Sequence, residues 1–298
     1  MPIRLSAGLA LACLPFLLLA ACSGSAKPTP TPTDTPTVLN LRPILGSSDL
    51  AVGKNRLVFA LLDATSAPVQ ASSVKMSLGY VQDKVATPQG TVMAAFRPWP
   101  VGPGGVFVAE VDFSRPGQWL AELTPTDGDA AGELARLVIP VSEHSITPAL
   151  GAPAPATVNR TGSDAATLEK ITSDLEPDPD LYAVTIAEAE RSGKPTVVAF
   201  ATPAFCTSRT CGPQVDVVKQ LKNAYKGQGN FIHVELYANP QEMRTDLSKG
   251  MIAPAVEEWR LPSDPWTFVL DRQGKVAAKF EAFVSYEELE TAFKQALG

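Results

Sequence analysis

The spacing of apolar residues changes near the middle of this chain of 298 residues. Across residues 38–142, apolar side chains recur at every second position, as at Phe107, Ala109 and Val111. That alternation predicts β-strands with one buried face. Across residues 166–298, short apolar runs alternate with segments of helical periodicity, which predicts helices packed on a sheet. We therefore expect an all-β domain followed by an α/β domain.

The all-β region contains several candidate strands. They are predicted at residues 56–62, 74–81, 91–96, 107–113, 118–123 and 134–141. Turn-forming residues separate them, as in Pro103-Gly104-Gly105 and Arg115-Pro116-Gly117. About seven strands at this spacing predict a β-sandwich.

Part of the all-β region is similar to a known family. Residues 53–62, 105–111 and 116–119 resemble the immunoglobulin-like domains of the YtkA and CopC type. Some relatives of that type bind copper through histidine and methionine. The candidate ligands in this region are Met76, Met93 and His144. With so few of them, the resemblance implies a structural or adaptor domain.

The chain begins with an apolar segment. Residues 1–21 carry one cation, Arg4, before an apolar run that predicts a secretory signal. This run is shorter than the roughly 20 apolar residues of a membrane span, and Pro15 interrupts it. Leu19-Ala20-Ala21-Cys22 follows directly and resembles the lipobox of bacterial lipoproteins, which implies cleavage before Cys22 and lipidation of that cysteine. The alternative is an ordinary cleaved signal followed by a chance cysteine.

A lipid on Cys22 would determine where the protein works. Each acyl CH₂ group buried in a bilayer contributes about 0.8 kcal/mol, so several chains hold a protein on a membrane without a spanning helix. We expect a lipid-anchored protein that faces the extracytoplasmic side of the cell membrane. Residues 22–37 are rich in proline and threonine and predict an extended tether. Residues 143–165 are rich in small residues and proline and predict a linker between the domains.

Charge and histidine content exclude several classes of function. The net charge is -6 and the basic residues are scattered, so no nucleic-acid partner is expected. With 2 histidines in the chain, a zinc site or a histidine-based triad is not expected either. His233 lies in an apolar run and is interpreted as a structural residue. No glycine-rich phosphate loop precedes a helix, and we expect no bound cofactor.

The four cysteines reduce to one pair in the predicted mature protein. Cys13 leaves with the signal and Cys22 carries the lipid, so Cys206 and Cys211 remain. Disulfides persist outside the cytosol, where this pair would work.

The α/β region has clear helix and strand signals. Residues 185–188 and 285–288 have the pattern of capping boxes that open helices. Residues 196–201 are continuously apolar, as expected of a central strand buried on both faces. The next helix is predicted to begin near Pro213, and residues 266–270 and 275–280 predict a hairpin.

This succession of a strand, a cysteine pair at a helix start, and a later proline before a strand resembles the thioredoxin fold over residues 166–298. The resemblance implies that Pro265 is cis and lies against the disulfide. Cys211-Gly212-Pro213-Gln214 resembles the thioredoxin Cys-Gly-Pro-Cys with Gln214 in place of the second cysteine. Cys206-x4-Cys211 resembles instead the peroxiredoxin Q type.

The peroxiredoxin alignment has a mismatch. That family has a threonine three residues before the attacking cysteine, where this chain has Pro203, with Thr202 one residue earlier. Its partner arginine could be Arg209 or Arg260. Sco-type copper chaperones use Cys-x3-Cys, which this sequence lacks.

Helix geometry limits where the two cysteines can lie. Residues five apart on a helix are offset by about 140° and about 7.5 Å, which is beyond comfortable disulfide reach. We therefore expect Cys206 in the loop before the helix and Cys211 at the helix cap. The families imply that Cys206 attacks, whereas the helix dipole would favour a thiolate at Cys211.

The sequence leads to one main functional hypothesis. It predicts a membrane-anchored thiol-disulfide oxidoreductase that acts through Cys206, Cys211 and Pro265 on protein thiols and disulfides of the cell envelope. A peroxiredoxin-like thiol peroxidase is one alternative. A non-catalytic envelope adaptor with a structural disulfide is the other.

Overall fold

The computed structural model describes residues 41–102 and 104–298. The predicted signal of residues 1–21, the lipidation site Cys22 and the tether of residues 22–37 lie outside the described residues. In the part of the chain that is described, no helix is both long and apolar enough to cross a membrane.

The first half of the described chain is a seven-stranded sheet. Its strands are β1 (Arg42–Leu45), β2 (Gly53–Leu62), β3 (Ser73–Gln82), β4 (Val85–Pro98), β5 (Gly105–Phe113), β6 (Gly117–Pro125) and β7 (Ala135–Val141). All neighbouring strands are antiparallel, in the order β1-β2-β5-β4-β3-β6-β7. The all-β character is thus confirmed, and the strands form one continuous sheet. The immunoglobulin-like arrangement stays a prediction.

Alternation along β5 builds the core of this sheet. Phe107, Ala109 and Val111 lie in one buried cluster, while Val108 packs in a smaller cluster on the opposite face. After β7, Ser142 bonds to the segment before β2, with its N–H 2.9 Å from the Leu50 carbonyl oxygen. This hydrogen bond links the end of β7 to the segment that leads into β2.

Two strands differ from the sequence prediction. β1 was not predicted, because it is short, contains Pro43 and is nowhere fully buried. β4 extends to Val85 because Asp83 and Lys84, at φ of 50° and 66°, make a two-residue hairpin turn with β3. The added residues 85–90 are exposed, so no apolar alternation marks them.

The second half is a four-stranded sheet between helices. Its strands are β8 (Thr196–Ala201), β9 (Asn230–Glu235), β10 (Trp266–Leu270) and β11 (Val276–Glu281). Its helices are α1 (Ala165–Ile171), α2 (Ile186–Arg191), α3 (Cys211–Ala224), α4 (Pro240–Met243), α5 (Pro254–Glu258) and α6 (Tyr286–Leu297). The strand order is β11-β10-β8-β9, with β8 and β9 parallel and the other pairs antiparallel. This is the arrangement of a thioredoxin-like fold.

Local sequence signals explain this half well. Every residue of β8 is buried, and apolar clusters cover both faces of the sheet. Thr185 and Ser285 form capping boxes with Glu188 and Glu288 at the starts of α2 and α6. The predicted buried strand and both predicted capping boxes are confirmed. The capping boxes could be recognised from sequence because their partners lie three residues apart.

The segment of residues 143–165, predicted as a linker, packs against the α/β sheet. Pro153 pairs with Lys275, and the Gly151 and Ala154 N–H groups donate to carbonyl oxygens of Val276 and Gly274 at 2.8 and 3.0 Å. The segment therefore extends the edge of the sheet at β11. Within residues 41–298 the two sheets belong to one compact unit and contact each other, as at Ser48–Glu281 and Arg56–Glu288.

Candidate functional site

The two cysteines lie between β8 and α3. Cys206 is in the loop that follows β8, Cys211 is the first residue of α3, and the two form a disulfide with a Cα–Cα distance of 6.0 Å. Because one cysteine is outside the helix, the loop can fold back, as the helix-geometry argument requires. The disulfide thus closes at the C-terminal end of a central strand.

The start of α3 differs from the prediction by two residues. The helix begins at Cys211 with Thr210 as its N-cap, and Pro213 is its third residue. Proline is accepted throughout the first helical turn, where N–H groups have no partner, so it does not by itself define the first residue. The Thr210 hydroxyl makes no capping bond and lies 2.8 Å from the Ser208 hydroxyl.

The two cysteines differ in exposure. Cys211 is 0% exposed and belongs to an apolar cluster with Val215 and Val284, whereas Cys206 is half-buried at the edge of that cluster. The Cys206 sulfur lies 3.1 Å from the Ser208 hydroxyl oxygen. A partner molecule can therefore reach Cys206, while Cys211 faces the protein interior.

A loop far away in sequence meets the disulfide. The Asp264–Pro265 peptide bond is cis, as the resemblance implies for Pro265. The Asp264 carboxylate oxygen Oδ2 lies 3.4 Å from the Cys211 sulfur. Sequence reasoning did not identify Asp264, although its position directly before Pro265 was a usable signal.

Desolvation affects the Asp264 carboxyl group. The residue as a whole is exposed, but its carboxyl turns toward the disulfide and loses part of its hydration. This loss raises the pKa of Asp264, and it is the cause of the shift. A protonated carboxyl is thus more available here than at an open surface.

Hydrogen bonds hold the loop that precedes Pro265 in place. Ser263 donates to the Glu281 carboxylate at 2.5 Å and accepts from the Trp266 indole N–H at 3.0 Å. The Ser48 N–H donates to the same carboxylate at 2.7 Å, and the Ser48 hydroxyl also bonds to it. The loop before Pro265 is therefore tied to the segment between β1 and β2.

Gln214, which one of the two alignments matches to the second thioredoxin cysteine, makes a structural contact. It is 0% exposed, and its Oε1 accepts a hydrogen bond from the Val284 N–H at 2.9 Å. Its Nε2 has no hydrogen-bond partner among the described residues. Gln214 thus joins the first turn of α3 to the segment before α6.

Thr202 and Arg209, proposed for peroxide chemistry, contact Cys206 through backbone hydrogen bonds, and the Arg209 N–H lies 3.4 Å from the Cys206 carbonyl oxygen. Thr202 is buried, its carbonyl accepts from the Cys206 N–H at 3.1 Å, and its hydroxyl lies 3.5 Å from the Ser173 hydroxyl. Arg209 and Arg260 are exposed, with φ of 60° and 51°. In the described chain, neither guanidinium forms an ion pair or side-chain hydrogen bond with Thr202 or Cys206.

The candidate copper ligands also stay apart. Met76 is fully buried in the core of the seven-stranded sheet, whereas Met93 is 52% exposed on β4. Met76 pairs with Val92 and Lys75 with Met93, so the two sulfur atoms lie on opposite faces. His144 is exposed in the segment after β7.

His233 is a satisfied interior residue, in agreement with its interpretation from sequence. It is 1% exposed on β9, with Nε2 3.0 Å from the Ala201 carbonyl oxygen and Nδ1 2.7 Å from the Tyr182 hydroxyl. A proton on Nε2 satisfies both contacts, since Tyr182 can then donate to Nδ1. Burial lowers the pKa of His233, which keeps the ring neutral.

Comparison with known proteins gives structural neighbours only. No protein-family model matches the chain, and no curated protein matches it. A thioredoxin-family thiol:disulfide interchange protein of Chlorobium tepidum is 16% identical, with a TM-score of 0.32, over 43% of this chain and 97% of that one.

Two other solved structures align with a similar share of the chain. The pneumococcal exposed lipoprotein thioredoxin of Streptococcus pneumoniae is 12% identical, with a TM-score of 0.31, over 38% of this chain and 90% of that one. A thio-disulfide isomerase of Thermus thermophilus is 23% identical, with a TM-score of 0.28, over 42% of this chain and 96% of that one.

Proposed function

We propose that this protein is a thiol-disulfide oxidoreductase of the cell envelope, with protein thiols and disulfides as its substrates. The observation that carries the proposal is the unequal exposure of the two bonded cysteines, of which Cys206 is half-buried and Cys211 is fully buried. A purely structural disulfide has no need of one accessible sulfur. An exchanging pair needs one sulfur that meets the partner and one that is protected until the first has reacted.

The exchange follows from these positions. In the reduced protein, the Cys206 thiolate attacks a partner disulfide, forms a bond to one partner sulfur and releases the other as a thiolate. The Cys211 thiolate then attacks Cys206, the internal disulfide forms, and the partner leaves reduced by two electrons. In this proposal the Ser208 hydroxyl stabilises the Cys206 thiolate, and the backbone beside Pro265 aligns the partner chain.

Reduction of insulin disulfides by dithiothreitol tests the proposal. The wild-type protein is expected to accelerate precipitation of the insulin B chain, and Cys206→Ser and Cys211→Ser are each expected to abolish the acceleration. Cys211→Ser should also accumulate a mixed disulfide through Cys206. Cys13→Ala is the matched control and should keep full activity.

Other outcomes of this assay favour the alternative functions. Equal insulin reduction by the wild-type protein and both serine variants would contradict the proposal. Rapid consumption of hydrogen peroxide, with a sulfenic acid trapped at Cys206, would favour the thiol peroxidase. A disulfide that resists dithiothreitol in the folded protein would favour the adaptor.

The proposed location is the extracytoplasmic side of the cell membrane, through lipid on Cys22. Its support is the apolar segment of residues 1–21 followed by the Leu19-Ala20-Ala21-Cys22 motif. Cells fed a labelled fatty acid should label the wild-type protein and recover it with the membranes. Cys22→Ala should be unlabelled and leave the membrane fraction, whereas Cys13→Ala should behave as wild type does.

For the seven-stranded sheet we propose an immunoglobulin-like domain with a structural role. The Ser48 hydroxyl bonds to the Glu281 carboxylate, which also accepts a hydrogen bond from Ser263 in the loop before Pro265. Ser48→Ala should slow insulin reduction several-fold by loosening that loop. Ser66→Ala, at an exposed turn of the same sheet, should leave the rate unchanged.

A further inference from the structure

Cys211 is shielded from water by the residues that pack around it. Cys211 is 0% exposed and packs among apolar side chains, including Val215 and Val284. Burial in apolar surroundings disfavours a thiolate, although the N-terminus of α3 partly offsets that cost. Formation of the attacking thiolate therefore needs a nearby group to accept its proton.

One such group meets the sulfur. The Asp264 carboxylate oxygen lies 3.4 Å from Cys211 Sγ, within the reach of a thiol hydrogen bond. The two sulfurs and a carboxylate oxygen of Asp264 all lie within 4.8 Å of one another. In the disulfide form Cys211 has no proton to donate, so this contact becomes a hydrogen bond only after reduction.

We infer that Asp264 is the general base for Cys211 in the step that resolves the mixed disulfide. The inference rests on the proposed function. In that step the Asp264 carboxylate takes the Cys211 thiol proton, and the thiolate attacks Cys206. The bond between Cys206 and the partner sulfur breaks, the Cys206–Cys211 bond forms, and the departing partner thiolate takes up a proton. In the reverse reaction the Asp264 carboxyl returns a proton to Cys211.

The surroundings of Asp264 suit this role. Loss of hydration raises its pKa toward that of a thiol, which makes it a stronger base than an open carboxylate. The titrating groups that face the carboxylate are Cys206 and Cys211, and Glu281 is linked to the same loop through Ser263. Asp264 forms no ion pair with lysine or arginine in the described part of the chain, so no nearby cation holds its pKa down.

Reaction of the reduced full chain with Ellman's reagent separates the two chemical steps. Cys13→Ala and Cys22→Ala in the background leave the active pair as the sole reporter. The first thiobenzoate release marks attack by Cys206, and the second marks displacement by Cys211. Cys211→Ser should give the first release alone, which assigns the phases.

Asp264→Asn should slow only the second release. At neutral pH we expect a loss of about a hundredfold, the ordinary contribution of a general base. The rate of the variant should then rise with pH toward the pKa of the thiol, so that the difference from wild type shrinks. Asp264→Glu should recover part of the rate. Asp83→Asn, which removes one negative charge at the exposed turn between β3 and β4, is the control and should have no effect on either release.

The possible results separate the inference from the proposed function. A second release in Asp264→Asn that is as fast as in wild type, or a first release slowed equally, would overturn the inference while leaving the oxidoreductase intact. A wild-type protein that completes both releases but does not reduce insulin would count against the proposed function alone. A pair that cannot be reduced would overturn both.

Discussion

Arg56 on β2 forms an ion pair with Glu288 in the first turn of α6, with Nε 3.3 Å from Oε1, although 232 residues separate them in sequence. The two side chains are 6% and 18% exposed. Arg56 also donates to the carbonyl oxygens of Glu281 and Phe283 at 3.1 and 3.2 Å. One arginine thus connects the seven-stranded sheet to the end of β11 and the start of α6.

Arg56→Ala should therefore be strongly destabilising. The substitution removes one of the two cations paired with the poorly hydrated Glu288 carboxylate, which keeps its pair with Arg97, and it removes a donor from two carbonyl oxygens. Breaking a buried pair costs about 3 kcal/mol or more, and the remaining pair with Arg97 should keep the loss near the low end of that range. Arg136→Ala is the matched control, because its pair with Glu122 is 62% and 43% exposed. Exposed pairs contribute about 0 to 1 kcal/mol. Urea unfolding should separate the two variants, and equal losses would contradict the interpretation.

Asp49 should make the protein sensitive to strong acid. Burial by itself raises the pKa of this carboxyl. Hydrogen bonds from Ser145, Thr147 and the Ile146 N–H, together with the positive charge of Lys279, outweigh burial and lower the pKa to about 2. A folded pKa below the unfolded value of about 3.9 gives a stabilisation that is complete above that pH and is lost as pH falls through about 2. The shift to about 2 corresponds to about 2 to 3 kcal/mol.

Urea unfolding of wild type and Asp49→Asn at a series of acidic pH values tests this contribution. The difference in unfolding free energy between the two should be largest above about pH 4 and should shrink as pH falls toward 2. Asp129→Asn, at an exposed aspartate, provides the comparison. A difference in unfolding free energy that stays constant with pH would show that Asp49 stabilises the fold through packing and not through its charge.

His233 should give a second pH dependence in a separate range. Its pKa is lowered, chiefly by burial, so the folded protein keeps the ring neutral where the unfolded chain takes up a proton. Below the unfolded pKa of about 6.5, the unfolded state binds more protons and stability falls by up to about 1.4 kcal/mol per pH unit. His233→Gln should remove that slope between about pH 7 and 5. His144→Gln, at an exposed position, should retain it.

Gly229 should tolerate no side chain. An added Cβ would lie 2.6 Å from the Phe293 ring and 2.8 Å from the Pro195 carbonyl oxygen, and the backbone contact cannot be relieved by a rotamer change. We expect Gly229→Ala to cost about 1 to 3 kcal/mol, as overpacking does. Gly212→Ala, where a Cβ meets nothing within 4 Å, should be neutral or stabilising by up to about 1 kcal/mol in α3. Thermal unfolding of both variants measures the contrast.

Sequence patterns predicted the elements whose signals are local. The buried strand β8 and the capping boxes at Thr185 and Ser285 were recognised because their determinants lie within one or two turns of chain. β1 and the exposed part of β4 carried no such signal, and the first residue of α3 was misjudged because proline is accepted at several positions of a helical start.

Patterns along the chain were enough to predict the all-β and α/β character of the two halves, the cysteine pair and the proline before β10. The burial of Cys211 beside a more accessible Cys206, the contact of Asp264 with a sulfur 53 residues away, and the position of residues 143–165 along β11 became visible only in the folded chain. The two sets of features differ in the sequence distance over which their determinants act. Hydrophobic period and capping depend on neighbours along the chain, whereas burial and the pKa values of the site depend on which distant segments exclude water from it.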